Sequence, residues 1–95
     1  MSTYYEMRST VKATDLKKAA KAMGGEVHKN EHDANRFSVS VDGQYMHFDV
    51  SKGYVVGAAR YGANYNAEET VLEPLSVELD FHYISEYDME LDDNE

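Results

Sequence analysis

Residues 37–50 alternate in polarity on both sides of an Asp42-Gly43 pair. Phe37, Val39 and Val41 are set against Ser38 and Ser40, then Met46, Phe48 and Val50 against Tyr45, His47 and Asp49. A period of two puts each set on one face of an extended strand, and Asp-Gly readily takes the positive φ angles of a tight hairpin turn. The segment therefore commits the chain to antiparallel pairing. A second turn, Ser51-Lys52-Gly53, leads into a third strand whose small residues Gly57, Ala58 and Ala59 imply close packing beneath another element. A helix is the obvious element to lie there.

That helix is predicted upstream. Thr14 is placed to cap it, Asp15 complements its N-terminal dipole, and Leu16, Ala19, Ala20 and Met23 form an apolar stripe opposite Lys17, Lys18 and Lys21. Gly24-Gly25 supplies its stop signal. Before it, residues 4–11 alternate, with Tyr5, Met7 and Val11 on one side and Tyr4, Glu6, Arg8 and Thr10 on the other, as a first strand with one buried face would. Residues 26–35 are polar and read as a loop with a short strand at its start. Residues 67–73 predict one or two helical turns ended by Pro74. Leu75, Val77, Leu79, Phe81 and Tyr83 then give the longest clean alternation in the chain and predict a last strand. Tyr87, Met89 and Leu91 continue that pattern, either as more strand or as an ordered tail. The expected fold class is α+β: an antiparallel sheet of about four to five strands with one main helix packed on one face. Ninety-five residues hold one core, so residues 1–95 are read as one domain, with 85–95 an acidic, partly ordered tail.

Charge is unevenly spread along this chain. Residues 67–95 contain eleven carboxylates and no lysine or arginine, a formal charge of −11, whereas the nine basic and seven acidic side chains of residues 1–66 leave +2. A net charge of −9 repels phosphate backbones and anionic lipid headgroups, so the expected partner is basic, with no direct nucleic-acid or membrane binding. The absence of cysteine excludes a disulfide framework, a thiol nucleophile and a cysteine zinc site. With no secretory signal or long apolar run, the expected location is cytoplasmic, the host cytoplasm if the protein is viral.

Many of the acids recur at every second residue: Glu78 and Asp80, then Glu86, Asp88, Glu90 and Asp92. On a strand they would line one face about 6.7 Å apart, twice the ~3.3 to 3.4 Å rise. Such a row, with Glu68, Glu69 and Glu73 before it, could engage the Lys and Arg side chains that line a nucleic-acid groove, through charge-assisted bonds that are often bidentate with Arg. The implied function is a non-enzymatic inhibitor that mimics nucleic acid and occupies the DNA- or RNA-binding groove of a host protein. In size, acidity and lack of cysteine the chain looks like the small acidic inhibitors that bacteriophages make against restriction, glycosylase or CRISPR effectors. Tyr61, Tyr65 and Tyr87 are candidate contact residues, since tyrosine is enriched at interface hot spots. Two other readings compete. One is a homo-oligomer whose acidic face solubilises it or meets the lysine stripe of a neighbouring copy. The other is a nucleotide-sequestering domain that uses the loop at residues 61–66.

Catalytic patterns do not hold up. His28-Lys29-Asn30-Glu31-His32 fits H-x-x-E-H, but that motif needs an amphipathic helix, and Gly24-Gly25 immediately precedes this stretch. His47 and Asp49 share the polar face of a strand without a nucleophile beside them. The glycines of residues 53–62 do not fall at G-x-G-x-x-G or P-loop spacing. No catalytic residue, metal site or cofactor is expected.

Overall fold

A computed structural model describes residues 2–62 and 64–85. It is α+β, with six strands in one antiparallel sheet: β1 (Ser2–Met7), β2 (Glu26–Lys29), β3 (Arg36–Val41), β4 (Gln44–Ser51), β5 (Tyr54–Tyr61) and β6 (Tyr83–Ser85). Their spatial order is β2-β3-β4-β5-β1-β6. Helix α1 (Ala13–Ala22) joins β1 to β2. A π-helical segment (Glu68–Leu72) runs directly into α2 (Glu73–Leu79), and together they join β5 to β6.

The central meander forms where the alternation predicts it. Asp42 and Gly43 take φ values of 51° and 80°, and Lys52 and Gly53 take 53° and 85°, so both turns have the paired positive φ that matches strand twist. Phe37 faces Phe48 across β3 and β4 with the rings stacked 5.4 Å apart. One row of paired residues, Lys29, Phe37, Phe48, Ala58, Tyr5 and Ser85, crosses all six strands. Phe37, Phe48, Ala58 and Tyr5 from that row join Val39, Met46 and Val55 in one buried cluster. Leu16 and Ala20 of α1, with Val71, Leu72 and Leu75, belong to the same cluster.

The sheet has more strands than the expected four to five. The strand beyond that count is β2, the short strand read at the start of residues 26–35, whose Glu26, His28 and Lys29 are all exposed, so it carries no clean alternation. Charged side chains on an edge strand also discourage pairing with another chain. β1 ends at Met7 rather than near Val11. Val11 is buried, and its carbonyl accepts a bond from the Val55 N–H. Thr14 does not cap α1. The residue in the capping position is Lys12, whose side chain makes no capping bond, and the Ala13 N–H is taken by the Gly53 carbonyl at 2.9 Å. A tertiary contact from the β4–β5 turn thus does the work of a side-chain cap. Of the three small residues of β5, Ala58 belongs to the core cluster as expected. Gly57 and Ala59 face the other way, and the Tyr4 ring lies over Gly57 so closely that a methyl group there would collide with its hydroxyl.

The helical turns expected over residues 67–73 are present, and the largest departure follows them, where helix continues to Leu79 in place of the expected last strand. The apolar positions there fit both periods. Ala67, Val71, Leu72 and Leu75 are fully buried, with Leu79 packed against the core, whereas Val77 is 78% exposed. A strand would have buried Leu75, Val77 and Leu79 together. Pro74 does not end the helical turns, because it occupies the first turn of α2, where its missing N–H is tolerated. The backbone widens just before it: the Glu73 N–H reaches back five residues to the Glu68 carbonyl. α2 stops at Asp80, which takes a left-handed φ of 52°. Among the described residues, the expected strand is present at Tyr83–Ser85.

Candidate functional site

Because residues 73–79 are helical, the acids expected along a strand are arranged differently. Glu69, Glu73, Glu78 and Asp80 are exposed, and the first three line one surface depression together with Pro74 and Val77. Glu69 and Glu73 are four residues apart, the spacing that places like charges side by side on a helix at a cost of about 0.2 to 0.5 kcal/mol. Acids near the start of a helix are partly offset by its dipole. Glu78 and Asp80 sit at the opposite end, where the dipole repels them, and the last turn holds no basic residue. None of these four carboxylates makes a hydrogen bond or ion pair among the described residues. Glu86, Asp88, Glu90 and Asp92, with Tyr87, lie outside the described residues.

Glu68 is separated from this group by its partners. Its Oε1 accepts a bond from the Tyr5 hydroxyl and its Oε2 one from the Tyr83 hydroxyl, both at 3.0 Å, while Arg60 Nε donates to the Tyr5 oxygen. The two tyrosine rings meet edge to face at 5.7 Å. The carboxylate therefore ties the π-helical segment to β1 and β6. Burial, then the adjoining Glu68, pushes the Tyr83 hydroxyl far above the ordinary tyrosine range, and burial also raises that of Tyr5 despite the Arg60 bond. Groups raised in this way keep their proton in the folded chain after the unfolded chain has lost it. Their contribution to stability is fully present below the ordinary value of 10.0 and is lost as pH rises above it. In an alkaline titration followed by tyrosinate absorbance, these two rings should ionise only as the fold is lost. Tyr83→Phe should flatten the fall in stability above that pH.

A trough runs between the helices beside the exposed acids. Ala19, Ala22 and Met23 line it from the α1 side and Pro74 and Glu78 from the α2 side, enclosing about 270 Å³. It opens at one end onto Glu69, Glu73 and Val77, and at the other onto Leu79, Asp15 and Lys18. Glu78 borders all three parts.

Comparisons with protein-family models, curated proteins and solved structures found no match.

The sheet face opposite the core carries a second polar cluster, only part of which the strand pattern reveals. Arg36 Nε donates to Asp49 Oδ1 at 2.9 Å and its Nη2 donates to the Tyr61 hydroxyl at 3.0 Å. His47 lies between the rings of Tyr45 and Tyr61, at 5.5 and 5.2 Å. Burial, then the Arg36 charge, lowers the affinity of His47 for a proton, so it is held neutral near pH 7. His47 and Asp49 share a face, as the alternation implies. Arg36 joins them through the β3–β4 register, in which it pairs with Asp49; that register is the signal that could have found it.

In the loop, Tyr65 is 75% exposed. Asn64 is buried, accepting from the Tyr45 N–H at 3.0 Å and donating to the Tyr61 carbonyl at 2.9 Å, so its amide closes the loop rather than facing a ligand. Residues 28–32 form no helix: the Asn30 side chain accepts bonds from the N–H groups of His32 and Asp33 in a tight turn. Among the described residues no group of three His, Cys, Asp or Glu side chains could hold a metal ion. Nor is any described helix long and apolar enough to cross a membrane.

Proposed function

We propose that this chain is an acidic protein-binding inhibitor that occupies the basic, nucleic-acid-binding groove of a host protein, of the kind that serves bacterial defence or nucleic-acid processing. The observation that carries this reading is the set of four exposed, unpaired carboxylates, Glu69, Glu73, Glu78 and Asp80, two of them at the helix end where the dipole opposes them. Stability alone would favour cations at that end. Fixed on a helical segment rather than a strand, Glu69, Glu73 and Glu78 gather beside the α1–α2 trough, and Asp80 closes α2. They can still meet arginine and lysine side chains through charge-assisted bonds. Attraction between a −9 protein and a basic cleft speeds encounter and weakens with salt.

The test is a pull-down from nuclease-treated bacterial lysate, eluted with a salt gradient, comparing the wild-type chain with a Glu69→Gln, Glu73→Gln, Glu78→Gln and Asp80→Asn combination. The wild-type chain should retain one nucleic-acid-handling protein that the combination releases at much lower salt. Equal retention of that protein by both chains would defeat the proposal.

A further inference from the structure

The trough between α1 and α2 is apolar along its floor and acidic along one rim. We propose that it receives a basic amphipathic helix presented by the partner protein. This inference rests on the protein-binding reading above and specifies what the partner offers there. Three observations carry it. Val77 stands 78% exposed next to Pro74 at the mouth of the trough, a large apolar group on the solvent side of a helix. Ala19 and Ala22 are small residues three positions apart, so another helix can approach α1 closely. Glu69, Glu73 and Glu78 supply a negative rim without cations of their own, while Lys18 at the far end is accompanied by Asp15.

The walls also decide the backbone form of the occupant. An extended peptide gains affinity by pairing its main chain with an open strand edge, and a trough walled by two helices offers no such edge. A segment seated there must satisfy its own backbone, which a helix does. Its apolar side chains would meet Val77, Pro74, Met23 and the two alanines, and its lysines or arginines would meet the glutamates. An acidic or nucleic-acid occupant would face like charge.

The experiment uses the whole chain and two fluorescent peptides of about 15 residues, the length at which an isolated helix becomes marginally stable. Both contain the same lysines and leucines. In one the leucines fall at i, i+3, i+4 and i+7, and in the other they are scrambled so that no face forms. Anisotropy should show the amphipathic peptide binding at least about tenfold tighter than the scrambled one. Val77→Asp should remove most of that preference, whereas Val56→Asp, exposed on the sheet, should leave it intact. Thermal melts establish that both variants remain folded. Equal affinity for the two peptides, or an unchanged preference in Val77→Asp, would overturn the helix inference while leaving the charge-based reading standing. The Glu69→Gln, Glu73→Gln and Glu78→Gln combination should weaken both peptides. If it weakens neither, the charge-based reading falls as well.

Discussion

Leu75→Ala is expected to destabilise the protein by about 2 to 5 kcal/mol, the range for truncating a fully buried leucine where the surroundings relax only in part. Val77→Ala should stay within about 0.5 kcal/mol of wild type, as exposed substitutions usually do. The two residues are two positions apart. On a strand they would share a face and a cost; on a helix they point roughly 160° apart, and the structure has Leu75 fully buried and Val77 78% exposed. Leu75 belongs to the same buried cluster as Val71 and Leu72 of the π-helical segment, which packs on β3 and β4. Urea unfolding of both variants measures the difference directly. Similar losses at both positions would restore the strand reading and dismantle the acidic helix face with it.

Glu68→Ala is the second substitution with a large expected effect. It leaves the Tyr5 and Tyr83 hydroxyls without their shared acceptor in a partly buried setting, for a loss of about 1 to 3 kcal/mol. Tyr83→Phe removes one donor from the same carboxylate, so the two changes should not add. A double-mutant cycle should return a coupling of about 0.5 to 3 kcal/mol. Glu69→Ala, one residue along and exposed, should cost almost nothing. The contrast divides neighbouring acids into one that holds the fold and others that stability does not need. A Glu68→Ala variant as stable as Glu69→Ala would mean that the tyrosine clasp contributes nothing.

The meander of β3, β4 and β5 was legible because its side-chain period and turn chemistry agree: Phe37, Val39, Met46 and Phe48 lie on the core face, and Gly43 and Gly53 lie in the turns. The apolar stripe of α1 was readable for the same reason, with Leu16 and Ala20 buried. The helical turns predicted over 67–73 are present, whereas residues 75–82 depart from the expected strand because Leu75, Leu79 and Phe81 satisfy a period of two while Ala67, Val71, Leu72, Leu75 and Leu79 satisfy a helical one. Pro74 tipped the choice toward a break because its place in a first helical turn depends on the π-type bond from Glu73 to Glu68, which no composition rule announces. The start of α1 was missed by the same kind of long-range cause, a carbonyl from Gly53. Of the candidate contacts, Glu69 and Glu73 follow from charge segregation and Glu78 and Asp80 also from a strand spacing that the helix replaces; Glu69, Glu73 and Glu78 meet around Val77 instead. The inward turn of Glu68 could be seen only once Tyr5 and Tyr83, far apart in the chain, were adjacent.

The position of β1 between β5 and β6 has a kinetic consequence. Its partners come from the second half of the chain: Tyr5 pairs with Ala58 on one side and Ser85 on the other. Strand β1 must therefore wait for residues 54–85 before its hydrogen bonds can close, while the β3–β4–β5 meander can form from local contacts alone. Until then its two adjacent tyrosines, Tyr4 and Tyr5, and its backbone are open to other strands. β6 closes one of the two edges of β1 along Tyr5, Glu6 and Met7, so a local opening there would bare the β1 backbone again.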